Sequence, residues 1–343
     1  MVNQAPPLVC ICIPTFNSAN TLAETLESIL RQRYTNIVVL IVDNASTDNT
    51  LEIAKKISDP RIEIHAHSEN IGAEGNFNRC ISLAKGKYTA IYHADDIYEE
   101  DMVASQVAFL EQEPSASAVF TEATLIDENG AVTGEIKQPR TFLAEGNLHS
   151  FEQLFKTILK HSNFLICPSV MAKTVVYQQT IQAWRGTQFR TSADLDVWLR
   201  MAQAQPIGVL PKKTMRYRIS RAQGSEKIRQ STERADFFKV IDFYLDQPQV
   251  QNFISTNDLF NYQCLERRDE VMRAMNALIK NQISLAKELC PPAFDKIAIQ
   301  AALQNKRGAL VFALSILIKL SLVLRLEWFA QRILAKLKKT IRK

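Results

Sequence analysis

The sequence predicts an α/β protein with a mainly parallel sheet and flanking helices, followed by a helical carboxy-terminal region. Two observations lead to this fold class. Over the first hundred residues, short apolar runs typical of fully buried strands alternate with segments whose apolar residues recur at helical spacing. From Glu233 to Lys306, helical spacing dominates.

The first strand and the first helix show both patterns. Residues Val9 to Ile13 form a continuous apolar run that Pro14 stops, as expected for a strand buried on both faces. Asn17 and Ser18 are candidate caps for the next helix. That helix is predicted from the spacing of its apolar residues, Leu22, Leu26, Ile29 and Leu30.

The same alternation continues to residue 92. It predicts strands at Ile37 to Val42, Arg61 to His65 and Tyr88 to Tyr92, and helices at Leu51 to Ile57 and Phe77 to Ala84. A strand–helix order of this kind implies a parallel sheet with right-handed crossovers. Such sheets bind ligands beyond the carboxyl ends of their strands.

Beyond residue 118 the pattern is looser. We expect a short strand over residues 118–121, and helices around residues 151–159 and 195–204. The stretch from Ala309 to Leu326 is apolar except for Ser315, Lys319, Ser321 and Arg325.

Composition excludes several classes of protein. The chain has 343 residues, of which 46% are hydrophobic and 22% charged, as in an ordinary globular protein. The net charge of +5 arises in the tail, because residues from Lys319 onward carry eight Lys or Arg against the single acid Glu327. A nucleic-acid-binding protein is expected to carry basic surface on its folded body. We therefore predict no nucleic-acid partner.

The cysteines and the amino terminus indicate a cytoplasmic protein. The six cysteines include no C-x-x-C pair, and four of them lie in apolar runs, so they are expected to be reduced. The polar stretch from Val2 to Pro7 lacks the basic and apolar regions of a secretory signal.

Two polar clusters directly follow the first two predicted strands. Pro14 to Asn17 forms a loop that opens a helix, where backbone N–H groups can bind a nucleobase or phosphate, although such a loop can also serve only as a helix cap. In the cluster from Asp43 to Asp48, Asp43 can accept a hydrogen bond from a base or ribose. The alternative for Asp43 is an ordinary turn residue.

The third cluster, His93 to Asp96, follows the fourth predicted strand. Two adjacent carboxylates after an apolar strand are costly unless they are paired, hydrated or bound to a metal. Oxygen ligands suit Mg²⁺ or Mn²⁺ bridging a diphosphate. This cluster therefore predicts a metal site.

A fourth cluster, Ser192 to Arg200, begins a predicted helix. Asp194 or Asp196 can act there as a general base that a helix start holds in place. Alternatively, both are ordinary first-turn carboxylates, each worth about 0.3–1 kcal/mol against the helix dipole, with Arg200 as an ion-pair partner.

In this order the clusters resemble the family 2 glycosyltransferases, which have the GT-A fold. That family carries P-x-x-N, then V-D-D-x-S-x-D-x-T, then N-x-G spaced six residues from a further Asn, then D-x-D-D, and then E-D before a helix of W-x-R type. The matching segments here are Pro14 to Asn17, Val42 to Thr50, Asn70 to Gly72 with Asn78, His93 to Asp96, and Ala193-Asp194 with Trp198 to Arg200.

The resemblance covers roughly residues 7–225 and implies three regions. Residues 1–225 would form the GT-A catalytic domain, with a nucleotide-sugar half at about 7–125 and an acceptor half at about 126–225. Residues 226–306 would form a helical extension, and residues 307–343 an apolar and basic amphipathic tail.

The resemblance also implies roles for the donor-binding residues. The backbone of Pro14 and Thr15 and the side chain of Asp43 would hold the base. Gly72 and Asn78 would line the nucleotide-sugar pocket. The same motifs place Asn17 and Asn44 among the donor-binding residues, and Arg218, in a Y-R pair typical of the family, would face the diphosphate.

For the chemistry, the resemblance implies inversion at the anomeric carbon by direct displacement. Asp95 would be the main metal ligand, and Asp96 would lie near the donor sugar or a metal-bound water. Asp194 would be the general base, since it occupies the position of the Asp in E-D. The Q-x-x-R-W signature of processive synthases is missing from the sequence, so we expect single transfers.

Three positions depart from the family pattern: Asn44, His93 and Ala193 replace acids. Asn44 can still accept a hydrogen bond through its carbonyl group. His93 is a candidate nitrogen ligand that would favour Mn²⁺ over Mg²⁺. The departures keep open the alternative of a non-catalytic protein of the same fold that binds sugar nucleotides or acts as a scaffold. A sugar nucleotidyltransferase is disfavoured, because no Gly-rich loop follows Ile13.

The tail predicts a peripheral membrane protein. Ala309 to Leu326 is near the lower limit for spanning a bilayer, and charges at Lys319 and Arg325 interrupt it. A helix lying in the interface, with the basic end from Arg332 to Lys343, would bind an anionic membrane on its cytoplasmic side. It would bring the site to a lipid-linked or surface glycan. The alternative is a packed terminal helix or a dimer contact.

Overall fold

The computed structural model describes residues 5–220, 229–292 and 294–340. The described chain divides into two compact units. The first unit contains the residues up to Phe155 together with Asn163–Ile219, and the second contains Lys156–Ser162 and the chain from Ser220 onward. The predicted domain boundary at residue 225 lies outside the described residues.

The first unit contains a mixed sheet that, among the described residues, has ten strands. Its main path runs in the order β3-β2-β1-β4-β9-β6-β10-β5, while β7 pairs with β6 and β8 pairs with β10. The strands are β1 Val9–Thr15, β2 Ile37–Asp43, β3 Ile62–Ala66, β4 Tyr88–Ile91, β5 Ile97–Tyr98, β6 Ala118–Ile126, β7 Val132–Ile136, β8 Leu148–His149, β9 Met171–Lys173 and β10 Ile207–Arg218.

The first four strands are parallel, as the sequence predicts. In their register, Thr15 lies opposite Asp43 across β1 and β2, and Asp43 lies opposite Ala66 across β2 and β3. All residues of β2 are buried, which explains its continuous apolar sequence. Strands β6 and β10 are also parallel to each other, whereas β9 lies antiparallel between β4 and β6. The sheet is therefore mainly parallel, with an antiparallel insertion.

Helices flank this sheet, and their buried faces complete the core. Leu22, Leu26 and Ile29 of the first helix are buried, as their spacing predicts. The helices of α type that begin in this unit are α1 Leu22–Leu30, α2 Thr50–Lys56, α3 Gly72–Leu83, α4 Met102–Gln112, α5 Arg140–Leu143, α6 Phe151–His161, α7 Gly186–Phe189 and α8 Ala193–Ala204.

One pair of predicted helix caps and one predicted helix start were wrong. Asn17 and Ser18 do not cap α1, because Thr21 is the residue before it and makes no side-chain capping bond. Helix α3 begins at Gly72 rather than at Phe77. The apolar pattern missed its first turn because Gly72 to Gly75 contributes no large apolar side chain to the core.

The second unit is helical, as predicted. Its long central helix begins with a capping box in which Ser255 and Asp258 satisfy each other's backbone N–H groups. No helix of the described residues combines the length and apolar composition of a membrane span. The helices that follow Ser220 are α9 Asp236–Leu245, α10 Pro248–Gln251, α11 Thr256–Ile279, α12 Ile283–Leu289, α13 Lys296–Gln304, α14 Lys306–Val323 and α15 Glu327–Thr340.

Candidate functional site

The ends of β1 and β2 are joined through the carboxylate of Asp43. Thr15 Oγ1 donates a hydrogen bond of 2.9 Å to Asp43 Oδ1, and Ser46 donates from its hydroxyl (2.6 Å) and its backbone N–H (2.9 Å). Asp43 is fully buried at the carboxyl edge of the sheet. This edge is where a parallel sheet binds its ligand. The predicted contact of Asp43 with a nucleobase stays a prediction.

The loop after β1 is held against the loop after β2. Asn17 adopts a left-handed backbone conformation, with φ of 52°. Its Oδ1 accepts a 2.9 Å bond from Thr47 N–H, and its own N–H donates to Ser46 Oγ at 2.9 Å. Pro14, opposite Val42 in the register, leads into this loop. The two predicted donor-binding loops thus form one rigid surface.

Asn44 uses its amide as a donor, which the sequence did not predict. Its Nδ2 donates to Asn70 Oδ1 at 2.9 Å and to the Gly72 carbonyl at 3.1 Å, while its Oδ1 accepts from Ile71 N–H at 2.9 Å. Asn44 is nearly fully buried. The amide therefore fixes the loop that starts α3, where Gly72 has a φ of 77° that favours glycine.

Asn44→Asp, which restores the acid of the family pattern, is expected to lower the free energy of unfolding by about 1–3 kcal/mol. The buried carboxylate would face the Gly72 carbonyl oxygen with no proton to donate. Thermal unfolding at pH 7 measures this effect. Asn49→Asp, at an exposed position of the same loop, is the matched control and should change little. Equal melting temperatures for Asn44→Asp and the unsubstituted protein would contradict the donor role.

Helix α3 also anchors the segment before α8. Asn78 Oδ1 accepts a 2.8 Å hydrogen bond from Trp184 N–H, and Glu74 Oε1 accepts one of 2.9 Å from Gly186 N–H. The Trp184 ring packs 4.6 Å from the Phe77 ring, measured between centroids. Asn78 therefore positions Trp184, and its predicted place in the nucleotide-sugar pocket stays a prediction.

The third cluster has the donor set of a metal site. One potential ligand atom each from His93, Asp95 and Asp96 lies within 4.8 Å of the others. Among the described residues, buried His93 Nε2 and Asp96 Oδ2 have no hydrogen-bond partner. Buried polar atoms are rarely left unpaired. A divalent cation with mixed nitrogen and oxygen ligands would satisfy both atoms.

Burial shifts the pKa of both side chains that carry these atoms. It lowers the pKa of His93, against the opposing effect of the Asp95 charge, so the imidazole is held neutral, the form that binds metals. Burial, with the Asp95 charge as a smaller cause, raises the pKa of Asp96 well above its usual value. An uncompensated charge at Asp96 is therefore unfavourable, and a bound cation would reverse this preference.

Arg218 holds the segment of Asp95 and Asp96 in place through hydrogen bonds. Its backbone N–H donates to Asp96 Oδ1 and its Nε to the Asp95 carbonyl, both at 2.8 Å. Its Nη2 pairs with Glu24 Oε2 at 2.6 Å, and its Nη1 donates to the Asp127 and Glu128 carbonyls at 3.3 and 3.2 Å. These contacts give Arg218 a positioning role. Its predicted contact with the diphosphate stays a prediction.

Asp194, in the first turn of α8, has the electrostatic properties of a base. Burial raises the pKa of its carboxyl to about 6. The carboxylate is oriented by Leu195 N–H at 2.8 Å and by Asn163 Nδ2 at 3.4 Å. A carboxyl with a pKa near the working pH can accept a proton from a hydroxyl more readily than an ordinary carboxylate.

Asp196 has a different role. Its carboxylate is fully buried and pairs with the guanidinium of Arg200 at 2.9 Å and with that of Arg185 at 3.6 Å. Arg200 also donates to the carbonyls of Ile181 and Ala183. The ion pair with Arg200, left open by the sequence, is confirmed. The cost of about 0.3–1 kcal/mol expected from the sequence for losing Asp196 is too low. Removal of Asp196 would leave Arg200 buried without a counter-charge, which costs about 3–5 kcal/mol of stability.

Two further side chains, Cys167 and Tyr217, are affected by charges of both the metal cluster and Asp194. Burial is the main cause that raises the pKa of each, but the charges of Asp96 and Asp194 contribute at both. The two carboxylates are therefore within electrostatic reach of the same side chains. No sequence motif assigned either residue to the site. Tyr217 could have been found through its neighbour Arg218, whereas Cys167 carries no sequence signal.

The comparisons with known proteins show the family and the fold of the chain. Residues 10–181 match the sequence profile of the family described as Glycosyl transferase family 2. A similar curated protein is the UDP-Glc:alpha-D-GlcNAc-diphosphoundecaprenol beta-1,3-glucosyltransferase WfaP of Escherichia coli, 35% identical over 38% of this chain and 52% of that protein. The chain spans only part of several curated relatives, from 37% of the length of one from Rickettsia felis down to 31% of the chondroitin synthase of Pasteurella multocida.

Two solved structures share the fold. TarS residues 1–349 from S. aureus, in complex with UDP-GlcNAc, aligns with a TM-score of 0.56 at 16% identity, over 92% of this chain and 91% of that one. The mannosyltransferase PcManGT from Pyrobaculum calidifontis, in complex with GDP-Man and Mn²⁺, aligns with a TM-score of 0.52 at 15% identity, over 96% and 87%. These likenesses confirm the GT-A fold. Since the family profile covers half of its residues, the chain belongs to glycosyl transferase family 2.

Proposed function

We propose that the protein is an inverting glycosyltransferase that moves a single sugar from a nucleoside-diphosphate donor to an acceptor hydroxyl. The observation that carries this proposal is the combination of a metal-type cluster after strand β4 with a buried carboxyl of raised pKa, Asp194, at the start of α8. Asp194, with a pKa of about 6, shares neighbours with the cluster of His93, Asp95 and Asp96. In a direct displacement, the base would activate the acceptor hydroxyl and the cation would stabilise the departing diphosphate.

The donor would bind at the ends of β1 and β2. The joined loops of Asn17 and Asp43 offer backbone and carboxylate groups to a base and ribose. His93, Asp95 and Asp96 would hold Mn²⁺ or Mg²⁺. When bound, the cation would neutralise charge on the departing diphosphate. Arg218 keeps the Asp95 carbonyl and the Asp96 carboxylate in place for this purpose.

In the transfer step, Asp194 would accept the proton of the acceptor hydroxyl. The freed oxygen would form a bond with the anomeric carbon while the bond from that carbon to the diphosphate breaks. The electron pair of the broken bond would leave with the diphosphate, and the configuration would invert. Asn163 and the backbone N–H of Leu195 hold the carboxylate for this role.

We propose a UDP-linked donor and a glycan or lipid-linked acceptor. The name of WfaP specifies UDP-Glc and an undecaprenol-diphosphate-linked sugar, and TarS was solved with UDP-GlcNAc. A lipid-linked acceptor would require the protein to work at a membrane surface. We accordingly propose a peripheral location on the cytoplasmic face of the plasma membrane, in the biosynthesis of a cell-envelope polysaccharide.

The non-catalytic alternative rests on the replaced acids. One of them no longer supports it, because Asn44 forms three hydrogen bonds in the loop before α3 that suit an amide. A release assay separates the two functions. Purified full-length protein with Mn²⁺ and a panel of UDP- and GDP-sugars should release the nucleoside diphosphate slowly without acceptor and faster with a lipid-linked glycan. Tight donor binding without any release would favour the non-catalytic protein.

His93 is expected to set the metal preference. His93→Asp replaces a nitrogen ligand with an oxygen ligand and should shift the ratio of Mn²⁺ to Mg²⁺ affinity towards Mg²⁺ by about 10- to 100-fold. Calorimetric titration with each metal, in the presence of UDP, measures the ratio. His67→Asp, one residue after strand β3 and outside the cluster, is the control. An unchanged ratio in His93→Asp would show that His93 is not a ligand.

A further inference from the structure

The second unit has an exposed apolar surface where α14 ends and α15 begins. Val323 is 69% exposed, Trp328 63% and Phe329 59%. We call residues 319–332 the hairpin tip. Scattered exposed apolar residues are normal, but a contiguous group of large ones marks an interaction site. The exposed apolar residues of the tip are Leu320, Val323, Leu324, Leu326, Trp328 and Phe329.

The opposite face of the same two helices is packed. Leu314, Ile318 and Leu322 of α14 and Ala330 and Leu334 of α15 belong to a buried core that includes residues of α11. The exposed apolar residues therefore lie on a packed part of the chain. They form the outward face of a helical hairpin whose inner face stabilises the unit.

The turn of the hairpin is a defined structure. Leu326 N–H donates to the Ser321 carbonyl at 2.8 Å, and Arg325 between the two helices has a φ of 57°. This combination is a Schellman motif, which ends a helix and fixes the direction of the following chain. The apolar side chains on both sides of the turn are consequently presented together.

Basic side chains surround the apolar group. Lys319 and Arg325 are exposed, and the guanidinium of Arg332 lies 3.9 Å from the centre of the Trp328 ring. Glu327 is the one acid among residues 319–332. An aromatic ring flanked by cations is suited to the boundary between lipid headgroups and acyl chains.

We propose that the hairpin tip inserts into the interface of an anionic membrane, with Trp328 and Phe329 at the level of the headgroups. This inference rests on the proposed function and names the surface that makes the membrane contact. Lys319, Arg325 and Arg332 pair with lipid phosphates. A second copy of the chain is a poorer occupant, because a symmetric contact through the tip brings like charges together.

Because the inner face of the hairpin is packed, the exposed surface must be tested by point substitutions and not by deletion. The sequence predicts an interfacial helix over residues 309–326, but the inner side of α14 is already buried in the core. Deleting residues 309–343 would expose that core and could unfold the unit. Substitutions of exposed tip residues avoid this problem, because their side chains contribute little to packing.

Tryptophan fluorescence reports directly on the tip. The chain has three tryptophans, of which Trp184 and Trp198 are buried and Trp328 is exposed. With vesicles of phosphatidylcholine and phosphatidylglycerol, the emission of full-length protein should shift to shorter wavelength and be quenched by brominated acyl chains. Trp328→Phe should abolish both signals while vesicle binding is retained. An emission spectrum that does not change with bound vesicles overturns the insertion of Trp328.

Sedimentation with the same vesicles measures affinity. Trp328→Ala combined with Phe329→Ala should lower the partition coefficient by about tenfold for each side chain. The control is Leu303→Ala, an exposed residue just before the start of α14, an 18-residue helix about 27 Å long whose far end lies in the tip. Salt at 1 M, where the Debye length is about 3 Å, should weaken binding, as should omission of the anionic lipid. Equal losses in the control and the tip variant overturn the proposal.

Failure of this inference is distinguishable from failure of the proposed function. Release of nucleoside diphosphate without membranes should be equal in the tip variant and the unsubstituted protein. A protein that transfers sugar but ignores anionic vesicles retains the function and loses the tip proposal. A protein that binds vesicles through Trp328 but never turns over a donor supports the tip proposal and contradicts the proposed function. Dimers that tip substitutions dissociate, without vesicle binding, would assign the surface to a second copy.

Discussion

Replacing Asp95 with Asn is expected to lower the rate of sugar transfer by about 10²- to 10³-fold while the protein remains folded. Asp95 is the family-matched ligand of a cluster whose other members, His93 and Asp96, carry buried atoms without partners among the described residues. The amide removes one anionic ligand without changing the side-chain volume. Initial rates with Mn²⁺, together with calorimetric titration of the metal, measure the effect.

Asp101→Asn is the matched control for this variant. Asp101 lies in the same stretch of chain, but its carboxylate pairs with Lys212 at the surface. Surface pairs contribute about 0–1 kcal/mol, so rate and metal affinity should stay near those of the unsubstituted protein. Full turnover by metal-stripped protein in excess chelator would refute the metal site, as would unchanged metal affinity in Asp95→Asn.

The fold could be predicted wherever a strand or helix carries its own periodic signal. Strands β1 and β2 are buried on both faces, so their sequences are continuous apolar runs, and their parallel pairing follows from the intervening helix. Strand β9 has three residues between irregular segments, so no local pattern predicts that it inserts antiparallel between β4 and β6. Its position depends on pairing with strands that are distant in sequence.

The candidate site, like the fold, has features that the sequence predicts and features that it does not. Motifs at strand ends predict Asp43 and Asp95 as site residues, because position at the edge of a sheet follows from the fold, and a motif at a helix start predicts Asp194. The contacts between motifs were not predictable: Asn44 donates to Gly72, and Arg218 binds the Asp95 carbonyl 123 residues earlier. An amide or guanidinium has several hydrogen-bonding groups, and only the folded backbone determines which of them are used.

The Asp194→Asn variant is expected to lower kcat by about 10²- to 10⁴-fold, the usual contribution of a general base, with little change in donor binding. In the unsubstituted protein, kcat should rise with pH through about 6, the pKa to which burial raises this carboxyl. The rise reflects ionisation of the base, so it should disappear from the residual activity of Asp194→Asn. Stopped assays across pH 4.5–8 with saturating donor measure both effects.

As the pH rises, the contribution of Asp194 to the stability of the fold should fall, whereas kcat should rise. The folded pKa of Asp194 is raised to about 6, whereas an unfolded aspartate has a pKa of about 3.9. Between these values the folded state binds more protons than the unfolded state, so this group lowers stability as the pH rises. Asp194→Asn cannot ionise and should match the parent protein below about pH 4 and exceed its stability above about pH 6. Chemical unfolding at pH 4 and pH 7 tests this.

Asp196→Asn is the matched control, two residues along the same helix, and its outcome should be reversed. The neutral amide leaves the Arg200 guanidinium buried without its counter-charge, which should cost about 3–5 kcal/mol of stability. The protein that stays folded should keep a near-normal kcat and the same pH profile, because Asp196 is turned into the ion pair with Arg200. If Asp196→Asn were folded but inactive and Asp194→Asn retained kcat, the base would be Asp196. If both variants kept their activity, the acceptor hydroxyl would have to lose its proton to a group outside α8.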